Sequence, residues 1–134
     1  MNAVDTNILI YVHDPRNPIK PEKAERLVAS LTDGVLLWQV ACEFVAASRK
    51  LTGFGFSVDQ AWREVKKLRS LWTTKLPDWR VADRAEELMK QFNLSFWDAM
   101  IAAACLETGV SHFYSEDFDN SAAASGLVVI NPFA

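Results

Sequence analysis

Three features of this 134-residue chain predict an α/β fold with a mostly parallel sheet. Short apolar blocks at residues 3–4, 35–38, 112–114 and 127–130 have the length of buried strands. Longer stretches between them carry apolar residues at helical spacing. Strand and helix signals alternate along the chain, with no internal repeat, low-complexity tract or long linker, so one domain over residues 1–134 is expected.

The elements follow in order. Ala3-Val4 leads through Asp5-Thr6-Asn7 into Ile8-Leu9-Ile10-Tyr11-Val12, read as a short strand, a turn and a helix that stops before Pro15. The prolines and polar residues of 14–18 disfavour helix and central strand, leaving a loop. Ala24, Leu27, Val28 and Leu31 share a helical face, with Pro21 suited to the first turn. Asp33-Gly34 punctuates before the second strand at 35–38, and a helix over about 39–51 ends near Gly53. Ser57 is placed to cap a helix carrying Val58, Ala61, Trp62, Val65, Leu68, Leu71 and Trp72 on one face. Leu76-Pro77-Asp78 reads as a short extended piece, an edge strand. Helices over about 80–92 and 96–108 follow, the second closed by Gly109.

Composition narrows the class. Half the residues are apolar, yet no run approaches the roughly 18 consecutive apolar residues of a membrane span. The N-terminus has no basic and apolar leader, which points to a soluble cytoplasmic protein. Cys42 and Cys105 lie in apolar surroundings without CxxC spacing and read as buried, reduced thiols. His13 and His112 stand alone, so packing or surface placement suits them better than a zinc site. Five tryptophans read by default as core. A net charge of −3 runs against simple phosphate binding, which favours a basic surface. Setting four of the 17 acids aside for a metal site leaves 14 basic residues facing 13 acidic ones, so net charge neither supports nor excludes RNA.

Four acids stand out by position. Asp5 follows the first strand, where an N-cap and a ligand serve equally well. Glu43 sits within the apolar Val40-Ala41-Cys42-Glu43-Phe44; it either turns to water or, if buried, needs a cation or donors to offset desolvation. Asp98 in Ser95-Phe96-Trp97-Asp98 fits a capping box, at the head of a helix apolar nearly all round. Asp117 lies in Ser115-Glu116-Asp117-Phe118-Asp119, either a solvated turn or a crowd of acids awaiting positive charge. In a parallel sheet such positions can converge on one edge. Oxygen ligands without His or Cys suit magnesium or manganese, and hence phosphate-ester chemistry.

In order and approximate spacing, Val4-Asp5-Thr6-Asn7-Ile8-Leu9, Glu43 in a helix after the second strand, Phe96-Trp97-Asp98-Ala99 and Tyr114-Ser115-Glu116-Asp117-Phe118 resemble the motifs of the PIN-domain family, and more closely the VapC-type toxins of toxin–antitoxin pairs. The resemblance covers essentially the whole chain. It implies a three-layer α/β/α domain with about five strands and frequent homodimers. It implies metal-site acids at Asp5, Glu43 and Asp98, with Asp117 as the fourth and Asn7 and Ser115 as polar supports. Glu116 and Asp119 lie close enough to Asp117 to exchange with it as the fourth acid. The implied activity is hydrolysis of RNA phosphodiesters with one or two Mg2+ or Mn2+ ions, and the implied partner is a VapB-type antitoxin.

Other readings compete. A haloacid-dehalogenase-type phosphatase also opens on an Asp after its first strand but needs a second Asp two residues on, where this chain has Asn7. A receiver domain wants paired acids after the first strand, which are missing. A binding module with a catalytically inactive PIN-like pocket is the alternative of another class. Arg63, Lys66, Lys67 and Arg69 form either a solvated helix face or an RNA contact. Trp62, Trp72 or Trp79 are candidates for a dimer or antitoxin groove.

Overall fold

The computed structural model describes residues 1–134. Its elements run β1 (Asn2–Val4), α1 (Thr6–Val12), α2 (Lys20–Ser30), β2 (Gly34–Leu37), α3 (Trp38–Ala47), α4 (Val58–Leu71), β3 (Thr73–Lys75), α5 (Trp79–Phe92), α6 (Phe96–Thr108), β4 (His112–Tyr114) and β5 (Val128–Ile130). Tight 3-10 segments occupy Ser48–Phe54 and Asn120–Ser125. The expected α/β fold is present. One five-stranded sheet runs in the order β3-β2-β1-β4-β5, and every pairing is parallel.

That order fixes where a site can form. The chain adds β2 and β3 on one side of β1, then returns to place β4 on the other. Between β1 and β4 the direction of winding reverses, and a crevice opens beyond the carboxyl ends of those two strands. Their register pairs Ala3 with Phe113 and Val4 with Tyr114. Ala3, Val4, Phe113 and all of β2 are buried, as strands covered on both faces must be.

The helices pack by composition. α6 buries Ala99, Ile101, Ala102, Ala103 and Cys105, three of them alanines, and packs along α5. α5 ends on Asn93 in the left-handed region, and α6 ends on Gly109 at φ 82°, a conformation that favours glycine. No helix is long and apolar enough to cross a membrane.

Several local expectations change. The edge strand is Thr73–Lys75 rather than residues 76–78, because Pro77 has no amide to offer and Asp78 caps α5, accepting from the Arg80 amide at 3.0 Å. Trp38 opens α3 instead of ending β2. α3 stops at Ala47 and tightens into the 3-10 segment, which closes on Gly55 at φ 89°. Trp62 and Leu71 do not join the buried face of α4; they are 52% and 65% exposed. Cys42 is exposed, while Cys105 is buried as expected. Of the five tryptophans only Trp72 is buried, packed over Gly34; Trp38, Trp62, Trp79 and Trp97 face out. Apolar periodicity marks which face of a helix is greasy, but not whether this chain covers it. His13 stacks on Phe56 at 4.1 Å, a packing role. Arg63, Lys66, Lys67 and Arg69 are exposed along α4.

Candidate metal centre

The central register sets Asp5 beside Ser115. The Asp5 amide donates to the Tyr114 carbonyl at 2.8 Å, so the two segments leave the sheet together. Asp5 caps α1, but its Oδ1 accepts only from the adjacent Thr6 amide, at 2.8 Å. Its Oδ2 accepts from the buried Ser115 hydroxyl at 2.7 Å. The same hydroxyl lies 3.4 Å from Asp117 Oδ1 and accepts from the amides of Asp117 and Phe118. Asn7 Nδ2 donates to Asp117 Oδ1 at 2.8 Å. Asp5, Ser115, Asp117 and Asn7 are therefore one connected polar set.

Glu43 enters from α3. Its Oε2 accepts from the Thr6 hydroxyl at 2.7 Å and its Oε1 from Gln39 Nε2 at 2.9 Å. Gln39 lies four residues earlier on the same helix, the spacing at which side chains meet. Asp98 enters from the N-terminus of α6. The Ser95 hydroxyl accepts from the Asp98 amide at 3.3 Å, but the Asp98 carboxylate makes no return bond to the Ser95 amide. Only half of the expected capping box forms.

Electrostatics ties Asp98 to the rest. Burial raises the Asp5 carboxyl above its ordinary range; bonds from Ser115 and Thr6 pull it back, and the charges of Asp117 and Glu43 raise it again. Burial likewise raises Asp98, the Ser95 hydroxyl lowers it, and Asp119, Asp117 and Glu43 push it up. The neighbouring charges acting on both groups are all acidic. Like charges in such a field either hold protons or recruit a cation.

The residues fit a hard divalent ion. Every donor is oxygen, and buried Asn7 Oδ1 has no hydrogen-bond partner, although a buried amide oxygen ordinarily finds one. No three of the acids close into a ready coordination shell. Hydroxyl and amide groups stand between them. Magnesium tolerates that spread because it keeps several waters and takes only one or two carboxylates directly.

The neighbouring acids have other partners. Glu116 turns away to Lys20 and Tyr11, which hold its carboxyl below the usual range. Asp119 caps the second 3-10 segment, accepting from the Ser121 amide and hydroxyl. Thr6 and Gln39 were not singled out by the sequence. Thr6 lies inside the first motif and was legible there; Gln39 was legible only from its four-residue spacing to Glu43.

A family model described as PIN domain matches residues 3–125. A toxin–antitoxin complex from Klebsiella pneumoniae contains a chain with a TM-score of 0.72 and 21% identity, each chain 98% covered. The sarcin–ricin-loop-cleaving toxin VapC20 of Mycobacterium tuberculosis gives a TM-score of 0.71 at 19% identity, covering 96% of this chain and 97% of that one. VapBC2 of Rickettsia felis, bound to promoter DNA, gives 0.66 at 13% identity with 97% of each covered. At these identities the likeness is one of fold. A search of curated proteins finds no significant match.

Proposed function

The chain belongs to the PIN-domain family, and on that footing we propose that it is a metal-dependent endoribonuclease, the toxin of a VapBC-type pair, built as one domain over residues 1–134. The observation that carries the reading is the Asp5–Ser115–Asp117–Asn7 set at the reversal of the sheet, with Glu43 and Asp98 in its field. Asp5, Glu43, Asp98 and Asp117 would hold one or two Mg2+ or Mn2+ ions. When bound, such an ion supplies an acidified water and neutralises charge on the phosphate. The protein's part is orientation: Ser115 aims Asp5, Thr6 and Gln39 aim Glu43, and Asn7 aims Asp117. Asp117 suits the fourth position better than Glu116 or Asp119, whose carboxylates are engaged elsewhere. A dehalogenase-type acid–base role has no residue to carry it, since Asn7 donates its amide to Asp117.

The proposed partners are RNA, a cognate VapB-type antitoxin and a second copy of the chain, in the cytoplasm. Trp38, Trp62, Leu76, Trp79 and Trp97 are each at least half exposed. Trp38 and Leu76 line two adjoining hollows, one with Trp97 and the other with Trp62, apolar area of the kind that interfaces cover.

The test is cleavage of RNA by the purified chain. Activity should require Mg2+ or Mn2+, stop in excess EDTA, and fall at least about 100-fold in Asp5→Asn and Asp98→Asn, with folding retained. Undiminished cleavage in EDTA, or by either variant, removes the metal mechanism. RNA binding without cleavage under any divalent ion favours the inactive PIN-like module instead.

A further inference from the structure

The segment after β4 alternates. Ser115 and Asp117 turn toward Asp5 and Asn7, while Glu116 between them turns the other way. There Glu116 Oε2 accepts from the Tyr11 hydroxyl at 2.5 Å, and Oε1 accepts from the Lys20 ammonium. Lys20 also lies 4.7 Å from the Tyr11 ring and 5.5 Å from the Phe133 ring. Tyr11 and Phe133 meet edge-on at 5.3 Å. The backbone is held on the same side: the Ser115 amide donates to the Ile130 carbonyl at 2.9 Å, and Asn131 Nδ2 donates to the Glu116 carbonyl at 3.4 Å. One residue is thus gripped by α1, the start of α2 and the chain's C-terminal segment.

We infer that Lys20, Tyr11 and Phe133 form a latch that positions Asp117 and Ser115 by holding Glu116 between them. The inference rests on the metal-site reading above. Lys20 and Tyr11 are positioning residues; neither touches an atom of the Asp5–Asn7–Asp117 set. The geometric argument is leverage. Asp117 is an exposed side chain on an irregular segment, and one amide, from Asn7, is its nearest anchor. Two charge-assisted bonds to the preceding residue fix the backbone from which Asp117 projects. Partners one step behind a metal ligand commonly change metal affinity by roughly 10–100-fold.

Electrostatics and positioning predict opposite signs here. Lys20→Met removes a positive charge near the acids and frees Glu116, so by Coulomb's law alone divalent ions should bind more tightly. Loss of positioning makes them bind more weakly. We expect Lys20→Met to weaken Mn2+ binding by about tenfold, measured calorimetrically, and Lys20→Arg to restore most of it. Tyr11→Phe, which deletes one hydroxyl and leaves the fold, should weaken binding in the same direction by a smaller factor. In the metal-free protein, hydrogen exchange at the Asp117 and Phe118 amides should speed up in Lys20→Met, while the Phe113 amide of β4 keeps wild-type protection. Wild-type affinity or tighter in Lys20→Met and Tyr11→Phe, with unchanged exchange, overturns the latch alone. A wild-type protein that binds no Mn2+ overturns the metal site and the latch with it.

Discussion

The acidic edge and the tryptophan face adjoin, and they are incomplete in opposite ways. Gln39 bonds Glu43 on one side and on the other helps line, with Trp97, Trp38 and Leu76, a cavity of about 100 Å³. At the acidic edge both oxygens of Asp5 and of Glu43 accept hydrogen bonds, yet the charges acting on Asp5 and Asp98 are all acidic. At the tryptophan face charge is not the difficulty. Apolar area is, with Trp79 83% and Trp97 63% exposed. One surface gathers acidic charge and the other exposed apolar area, and the chemistry that would offset each is different.

The largest expected effect separates the tryptophan that serves the core from those that lie exposed. Trp72 packs so closely on Gly34 that a Cβ there would lie 2.5 Å from its ring. Trp72→Ala should destabilise the chain by about 3–5 kcal/mol. Trp79→Ala should change the stability of the dilute monomer by no more than about 0.5 kcal/mol while weakening self-association. Urea denaturation and sedimentation equilibrium read the two effects. A loss at Trp79 comparable to that at Trp72 would mean the face is packed within one chain, and the contrast would collapse.

A smaller effect, of unusual sign, tests the acidic edge. The folded-state pKa of Asp5 is raised above the unfolded value of 3.8. The folded form then holds its proton longer than the unfolded one, so stability is full below the unfolded pKa and is lost as pH rises through the folded pKa. Burial resists charging Asp5 as pH rises, a liability that Asn lacks. Asp5→Asn in EDTA should therefore be more stable than wild type, by about 1 kcal/mol. Saturating Mn2+ should reverse the order, because only the wild type gains binding energy. Thermal melts with and without Mn2+ check this, and a variant less stable than wild type in EDTA would make Asp5 a structural group.

Legibility in the sequence follows the same division. The sheet was readable because β2 and β4 are short apolar blocks. Three of the proposed acids stood out because Asp5 and Asp117 trail strands and Asp98 opens a helix, while Glu43 stood out only as an acid inside the apolar α3. Asp117 could not be separated from Glu116 and Asp119 by spacing, since all three lie within one turn. The Lys20 ion pair and the Asp119 cap are what favour Asp117 in the proposed site, and both depend on contacts between distant or irregular segments. The core reading holds for Trp72 but not for Trp38, Trp62, Trp79 and Trp97, because helical spacing on α4 looks the same whether Trp62 meets the core or solvent. The edge strand moved by three residues because the turn chemistry of Pro77 and the Asp78 cap outweighed an apolar Leu76.

The smallest effect asks whether Asp98 belongs to the site or to its helix. α4 has a full capping box: the Ser57 hydroxyl accepts from the Gln60 amide at 3.1 Å, and Gln60 Oε1 accepts from the Ser57 amide at 2.8 Å. α6 opens on the same Ser-x-x-polar pattern but forms one limb only, while burial and the charges of Asp119, Asp117 and Glu43 raise the Asp98 carboxyl. A serine cap is worth about 1 kcal/mol, so Ser57→Ala should lose about that much and Ser95→Ala about half. The loss at Ser95 should also leave Asp98 still harder to ionise, since the Ser95 hydroxyl now lowers its pKa. Chemical denaturation of the two variants side by side gives the comparison. If Ser95→Ala is the more damaging, Asp98 is committed to the helix end, and the acidic edge has one ligand fewer than the proposed reaction needs.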